Sequence, residues 1–291
     1  MEYKYLPMTT DRAYPFRWAS EGLAARDRAA ALLRDSAHGL RFEAEEHRYF
    51  LGGRELRSVS SIVESYAPFD ALAAARRVSK NSRSPMYGKK PEDIVAIWRA
   101  KGDEACAAGS AVHAFAEACF MVTTGHPEDI DAKLRGRYVA GRGLRPDNAK
   151  EAAAARWWSD MDTSRYMPVA HETMLANPAY GYAGTLDLLL YDMQEKHYVL
   201  KDYKTNADIY KWYGKWLRPP LSPIKDSDVG KYTLQQNLYK IQLDNIGVDI
   251  GAMDLIWLKD DGSYEEVHVK DCSRLVRYAL DLEKNKNYNV I

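Results

Sequence analysis

The residues predict an α/β fold with a central mixed β-sheet flanked by helices. The stretch 184–205 reads as a buried hairpin. Leu186 to Tyr191 is an apolar run, His197 to Tyr203 is rich in aromatic and β-branched residues, and Asp192-Met-Gln-Glu-Lys196 is the polar turn between them. A second hairpin is signalled where Phe42 to Phe50 and Arg54 to Ser58 flank Leu-Gly-Gly, glycines that supply positive φ. Around these lie segments with helical spacing or helix-forming composition, at 21–34, 150–159, 232–245 and 273–286.

The first hairpin carries charge where a buried strand should not. If its turn is centred between Gln194 and Glu195, Asp187 stands across from Asp202 and Thr185 across from Lys204, on one face. Opposed Cβ atoms sit roughly 4.5 to 5.5 Å apart, so two carboxylates there repel unless a cation stands between them. One reading is an Asp-Asp-Lys cluster that only holds the sheet, at the cost of desolvating three charges. The other is a metal site. A hard cation such as Mg²⁺ takes carboxylate and carbonyl oxygens, and the Tyr203 carbonyl is nearby. Lys204 could then orient a water or stabilise phosphoryl charge.

Composition narrows the classes. With 291 residues and 46% hydrophobic content, the chain can bury a sizeable core as one domain with an extension, residues 1–41 being the helical extension and 42–291 the domain. Lys and Arg number 41 against 41 Asp and Glu, which argues against non-specific coating of DNA but leaves room for a local basic groove. Cys106, Cys119 and Cys272 form no CxxC pair, so a reducing cytosol without a disulfide framework is expected. The N-terminal Met-Glu-Tyr-Lys-Tyr-Leu-Pro lacks an apolar signal core, and no run of about 18 apolar residues appears. A soluble, unexported protein without a membrane partner is the expectation.

The remaining elements follow in chain order. Residues 10–36 read as an accessory helix. Ser58 is an N-cap for the helix that begins Val-Ser-Ser-Ile-Val. Arg76 to Lys90 reads as a basic loop, either a surface connection or a phosphate-contacting arm. A helix from Pro91 is expected to stop or kink at Gly109. His113 and Glu117 then share a helix face. Residues 125–150 suggest loops or short helices, Pro168 to Leu175 is a strand bearing Glu172, and Asn177 to Gly181 turns back into the hairpin. In Tyr210 to Pro220, aromatics alternate with cations on an expected loop; Lys211, Trp212, Lys215, Trp216 and Arg218 suit backbone tracking and base stacking on unpaired DNA. Gln235 and Tyr239 lie on one flank of the 232–245 helix, and 252–259 with 264–269 close the sheet around Asp260-Asp-Gly.

Gly-Thr-Leu-Asp187, followed fifteen residues later by Asp202-Tyr-Lys204-Thr, resembles the core of the PD-(D/E)xK nuclease superfamily in its RecB-like branch. Gly109-x-x-x-His113-x-x-x-Glu117 and Gln235-x-x-x-Tyr239 are similar to the elements before and after that core, and the 42–62 hairpin is more weakly so. The resemblance covers roughly 96–270. It implies a restriction-endonuclease-like core housing a Mg²⁺- or Mn²⁺-dependent deoxyribonuclease, most often an exonuclease of recombination, repair or phage DNA processing, in a bacterial or phage-infected cytosol. A site- or structure-specific endonuclease on the same core, or an inactive DNA-binding module, are the alternatives. By position, His113, Asp187, Asp202 and the Tyr203 carbonyl are implied as metal ligands, Lys204 as the residue acting on the water, and Gln235 and Tyr239 as positioning the strand. Glu117 and Glu172 are auxiliary. No cysteine set matches the iron-sulfur cluster of some relatives, so none is expected. DNA ends or single strands are the implied partner, and a homo-oligomer or a recombination partner is compatible with the family.

Overall fold

Alternate residues of the central strands bury on opposite faces, so the sheet is covered on both sides. The computed structural model describes residues 19–288, with side chains as far as residue 285. The N-terminal heptapeptide and the first part of the 10–36 segment lie outside the described residues. The elements are α1 (Ser20–Ser36), β1 (Leu40–Glu43), β2 (Arg48–Leu51), β3 (Arg54–Ser58), α2 (Val59–Tyr66), α3 (Ala71–Lys80) and α4 (Pro91–Thr124). A 3₁₀ turn, α5 (Ala132–Arg135), β4 (Tyr138–Val139), β5 (Gly143–Leu144) and α6 (Ala149–Asp160) follow. Then come β6 (Tyr166–Asn177), β7 (Tyr182–Asp192), β8 (His197–Lys204), β9 (Trp212–Trp216), β10 (Lys225–Ser227), α7 (Asp228–Asn245), β11 (Ile250–Leu258), β12 (Tyr264–His268) and α8 (Ser273–Tyr288).

The main sheet runs β1-β2-β3-β7-β8-β11-β12, with β6 on the other edge of β7. It is mixed, since β3 pairs parallel to β7 and β8 parallel to β11 while the remaining pairs are antiparallel. The α/β architecture expected from the sequence is thus present. Leu189 and Tyr191 of β7 and Leu200 of β8 face a cluster shared with α1, α2, α7 and α8. Leu188, Leu190, Val199 and Tyr203 face the opposite cluster, built on α4 and α6.

Several local expectations need correction. The helix at 10–36 is no mere accessory: α1 buries Ala25, Ala29 and Leu33 in the larger core, and Ala25 offers its carbonyl to the Tyr198 hydroxyl at 2.8 Å. The strand expected from Phe42 to Phe50 breaks into β1 and β2, because residues 44–47 form a turn with His47 at φ 52°. Arg76, Arg77 and Lys80 lie on a helix, α3, capped by Asp70 through the Ala73 N–H at 2.8 Å. The helix from Pro91 does not stop at Gly109. A helical glycine costs only about 1 kcal/mol, and α4 continues to Thr124, where Gly125 caps it; a Cβ at 109 would meet Thr205 Oγ1 at 3.3 Å. By length and composition α4 is the one described helix that could cross a membrane, yet its C-terminal half puts Val112, Phe115, Cys119 and Val122 into the core. The aromatic segment after β8 forms a two-stranded ribbon, β9 with β10, exposed along all of β9.

Helix α6 backs α4 and depends on one buried carboxylate. Glu151 is 4% exposed at its side chain, accepts the Asp147 N–H at 2.6 Å and pairs with Arg137, while Asn148 caps the Glu151 N–H at 2.9 Å. Removing one partner of a buried pair strands the other charge, which costs about 3 kcal/mol or more. Glu151→Ala is therefore expected to lower unfolding free energy by about that amount in urea titration, with Glu151→Gln, which keeps an acceptor oxygen, losing less. Equal loss from both would show that the charge, absent from either variant, matters and the acceptor oxygen does not.

Candidate metal centre

The site forms where the sheet divides. On the edge of β7 away from β6, β8 pairs with residues 188–192 and β3 with residues 182–183. Both β3 and β8 must lie on that edge, since β6 occupies the other along the whole strand. Between their ladders, residues 184–187 are left at a fork. Asp187 fills the gap with its side chain, and Oδ2 accepts the Tyr203 N–H at 2.9 Å. The pairing Leu188↔Lys201 sets the register that would put Asp187 against Asp202, as the hairpin count predicts.

Glu172 reaches the same place from β6. The pairs His171↔Leu188 and Thr173↔Leu186 put it across from Asp187, but its φ is 43°, a left-handed conformation that costs a non-glycine residue about 1–2 kcal/mol. His113 comes from the other layer, on the buried half of α4. Its Nδ1 lies 3.4 Å from Asp187 Oδ2 and 3.5 Å from Glu172 Oε1. One ligand atom from each of His113, Glu172 and Asp187 lies within 4.8 Å of the others. An imidazole nitrogen and two carboxylates suit a divalent cation between hard and borderline, Mn²⁺ or Mg²⁺ among them.

Electrostatics at the fork are those of a site built around positive charge. Burial alone would lower the His113 pKa, but Asp187 and Glu172 outweigh it and lift the imidazole to about 9. Burial, then Asp187, pushes the Asp202 carboxyl above its ordinary value, with Lys204 and His113 opposing. Asp202 is 1% exposed; it ion-pairs with Lys204, yet neither oxygen accepts a hydrogen bond of regular geometry among the described residues. Oδ2 has the Lys204 ammonium against it, and Oδ1, beside the triad, is an oxygen that a bound cation would satisfy. Lys204 resists its own burial because Asp202 and Asp187 hold it charged, and its Nζ lies 3.4 Å from Gln235 Oε1 and 4.3 Å above the Tyr232 ring.

The residues singled out from sequence do not all meet at one point. His113 and Asp187 join the gathered donor atoms, and Glu172, expected as auxiliary, sits among them. Asp202 stands beside them with Lys204. Tyr203 donates its N–H to Asp187, so its peptide edge faces the fork. Gln235 and Tyr239 line the α7 side, and Tyr239 fits only because Gly184 has no Cβ, which would lie 2.8 Å from the phenol. Glu117 feels Glu172 and Asp131, and with burial its pKa rises, but it is outside the gathered triad. Lys211, Trp212, Lys215 and Trp216 lie on or beside β9, and Arg218 just after it, all exposed and beyond the end of β8.

Some neighbours escaped the sequence. Tyr232 holds Asn206 at 2.6 Å under Lys204, and Lys150 Nζ binds the Thr205 carbonyl at 2.6 Å, tying α6 to the end of β8. Only the helical spacing of Tyr232 to Gln235 hinted at the first. No family model and no curated protein matches the chain.

A cation at this triad must displace a proton, because His113 with a pKa of about 9 is protonated at neutral pH. Mn²⁺ affinity is therefore expected to rise with pH between about 6.5 and 9, up to tenfold per unit, with proton release seen by calorimetry in buffers of different ionisation enthalpy. Glu172→Gln should weaken binding at least tenfold and Glu117→Gln far less. A pH-independent affinity, or equal effects of the two glutamates, would remove His113 or Glu172 from the ligand set.

Proposed function

We infer that the chain is a divalent-metal-dependent deoxyribonuclease that hydrolyses phosphodiester bonds, acting on DNA ends or single strands in recombination, repair or phage DNA processing. The observation that carries this reading is the gathering of His113, Glu172 and Asp187 within 4.8 Å at a sheet fork, with the Asp202–Lys204 pair alongside. Its order along the chain, helix His, strand Asp, then Asp-x-Lys, supports the RecB-like resemblance. Three free cysteines fit a reducing cytoplasm.

His113, Glu172 and Asp187 would hold Mg²⁺ or Mn²⁺, with Asp202 adjoining. The bound cation would supply Lewis acidity toward a phosphodiester oxygen and lower the pKa of water. The chain's own contribution is positional. Lys204 is kept as an ammonium by Asp202 and Asp187, and can hold the attacking water or meet the charge that develops on phosphorus. Gln235 fixes the ammonium through its amide oxygen. Tyr239, buried with its proton held by burial and the nearby Asp202 and Asp187 charges, remains a donor toward a phosphate oxygen. In hydrolysis water attacks phosphorus, one P–O bond breaks, and the water's proton ends on the leaving oxygen. The exposed indoles and cations of β9 suit stacking and backbone contact with a frayed end, which favours an exonuclease over an endonuclease on the same core.

Asp187→Asn is expected to abolish cleavage in saturating Mg²⁺ or Mn²⁺ while the chain stays folded. Lys204→Ala should lower the single-turnover rate on linear DNA about 10²-fold or more and leave affinity in Ca²⁺ almost unchanged. Trp212→Ala with Trp216→Ala should do the reverse. Degradation of circular as fast as linear DNA would turn the reading to an endonuclease, and wild-type inertness with both metals to a binding module.

A further inference from the structure

Exposed aromatic surface is concentrated in two places. Among the described residues, Phe69, Leu72 and Tyr87 are exposed around α3, and Tyr210, Trp212, Tyr213 and Trp216 around β9; elsewhere only Val139 and Tyr278 are large, apolar and exposed. Each place carries a stretch of chain without acid. Ala71 to Lys90 carries Arg76, Arg77, Lys80, Arg83, Lys89 and Lys90 without one carboxylate, and Ile209 to Lys225 carries Lys211, Lys215, Arg218 and Lys225 likewise. In a chain of zero net charge this is a marked local excess. All six cations of the first segment are exposed, and none is in an ion pair among the described residues.

The first segment is built, not merely a connection. Ser79 Oγ binds the Lys89 carbonyl at 2.6 Å, the Gly88 N–H returns to the Ser79 carbonyl at 2.9 Å, and Asn81 and Ser84 cap the turns between. Phe69 packs near Trp98 of α4 with ring centroids 6.2 Å apart. The second segment reaches the chain that leads into the first, where the Arg218 N–H binds the carbonyl of Tyr66, the last residue of α2, at 2.9 Å. They are thus neighbours in space as well as alike in chemistry.

We propose that the α3 segment, Phe69 to Lys90, is a second seat for an unpaired DNA strand, continuing the β9 ribbon's seat away from the metal centre. This rests on the nuclease reading for its substrate. Apart from Asp70, whose carboxylate caps α3, the segment is a row of unpaired cations set with exposed rings, and it fits a flexible polyanion with π-faces, which a single strand presents and a duplex hides. Helix α4, which leads from the α3 segment to His113, sets the distance between that segment and the metal centre. From Pro91 to His113 the axis of α4 advances about 33 Å at roughly 1.5 Å per residue. Stacked phosphates repeat about every 3.4 Å, so this reach corresponds to at most about ten nucleotides. Between the ends, residues 99–108 of α4 are uncovered, with Arg99 and Lys101 balanced by Asp103 and Glu104. Strand length, not sequence, is then what the α3 segment reads.

The test is binding of labelled oligodeoxythymidines of about 4 to about 20 nucleotides in Ca²⁺, at several salt concentrations. Wild-type affinity should climb with length up to about ten nucleotides and then flatten. Arg76→Ala/Arg77→Ala/Lys80→Ala should bind the longest strand at least tenfold more weakly, with a salt slope shallower by about 2, and bind the shortest as wild type does. Arg83→Ala/Lys89→Ala/Lys90→Ala, confined to the loop, gives the same reading should the helix variant melt early. An equal loss at every length, no loss, or a greater loss on duplex than on single strand overturns the proposal. If wild type binds with this length dependence but cleaves nothing in Mg²⁺ or Mn²⁺, the strand seat stands and the nuclease reading falls. Cleavage without length-dependent binding gives the opposite result.

Discussion

Everything at the centre of this protein depends on one hydrogen bond between a side chain and a strand, from the Tyr203 N–H to Asp187 Oδ2 at 2.9 Å. A sheet ladder normally satisfies such an N–H with a carbonyl. Here β7 leaves β8 to meet β3, and the carboxylate takes the place of the lost partner. The fork is thereby kept open without a stranded donor. Its gap admits Tyr239 over Gly184 and the acid side chains below it. A carboxylate that also closes the backbone cannot drift, which holds the groups around it to a fixed point.

Charge balance is the second constraint. Glu172, Asp187 and Asp202 crowd the fork with the cations His113 and Lys204, so the site is short of positive charge as it stands. The upward displacement of the His113 pKa expresses that shortage, and in Asp202 the Asp187 charge adds to the larger effect of burial. Acidic clusters of this kind destabilise a fold unless a ligand completes them. Stability and ligand binding are therefore linked at this point in the chain.

Much of this was legible in the residues, and what was not has identifiable causes. Counting across the turn at Gln194-Glu195 placed Asp187 against Asp202, because alternation and a four-residue loop leave little freedom in a hairpin. The one-turn spacing of His113 and Glu117 put both on a common face but could not say which looks into the sheet. Gly109 misled, since a glycine chosen for close passage beside Thr205 looks in sequence like a helix end. The basic segment misled because Asp70 and a run of alanines make α3 where arginines suggest only solvent. Glu172 was underrated because a positive φ inside a strand has no sequence signature for a non-glycine residue. The β9 ribbon pairs only with its short neighbour, so its pattern is that of an exposed loop.

The left-handed glutamate has a consequence for how such a chain can drift. Glycine or asparagine at position 172 would relax the backbone at φ 43° while deleting or weakening one of the three gathered donors. Selection for thermal robustness alone would therefore favour replacements there that erase the centre, and selection for the centre alone would keep the strained acid. A laboratory lineage evolved for heat tolerance without a functional screen should collect silenced copies at this codon first. The position would then act as a record of which pressure a population has been under.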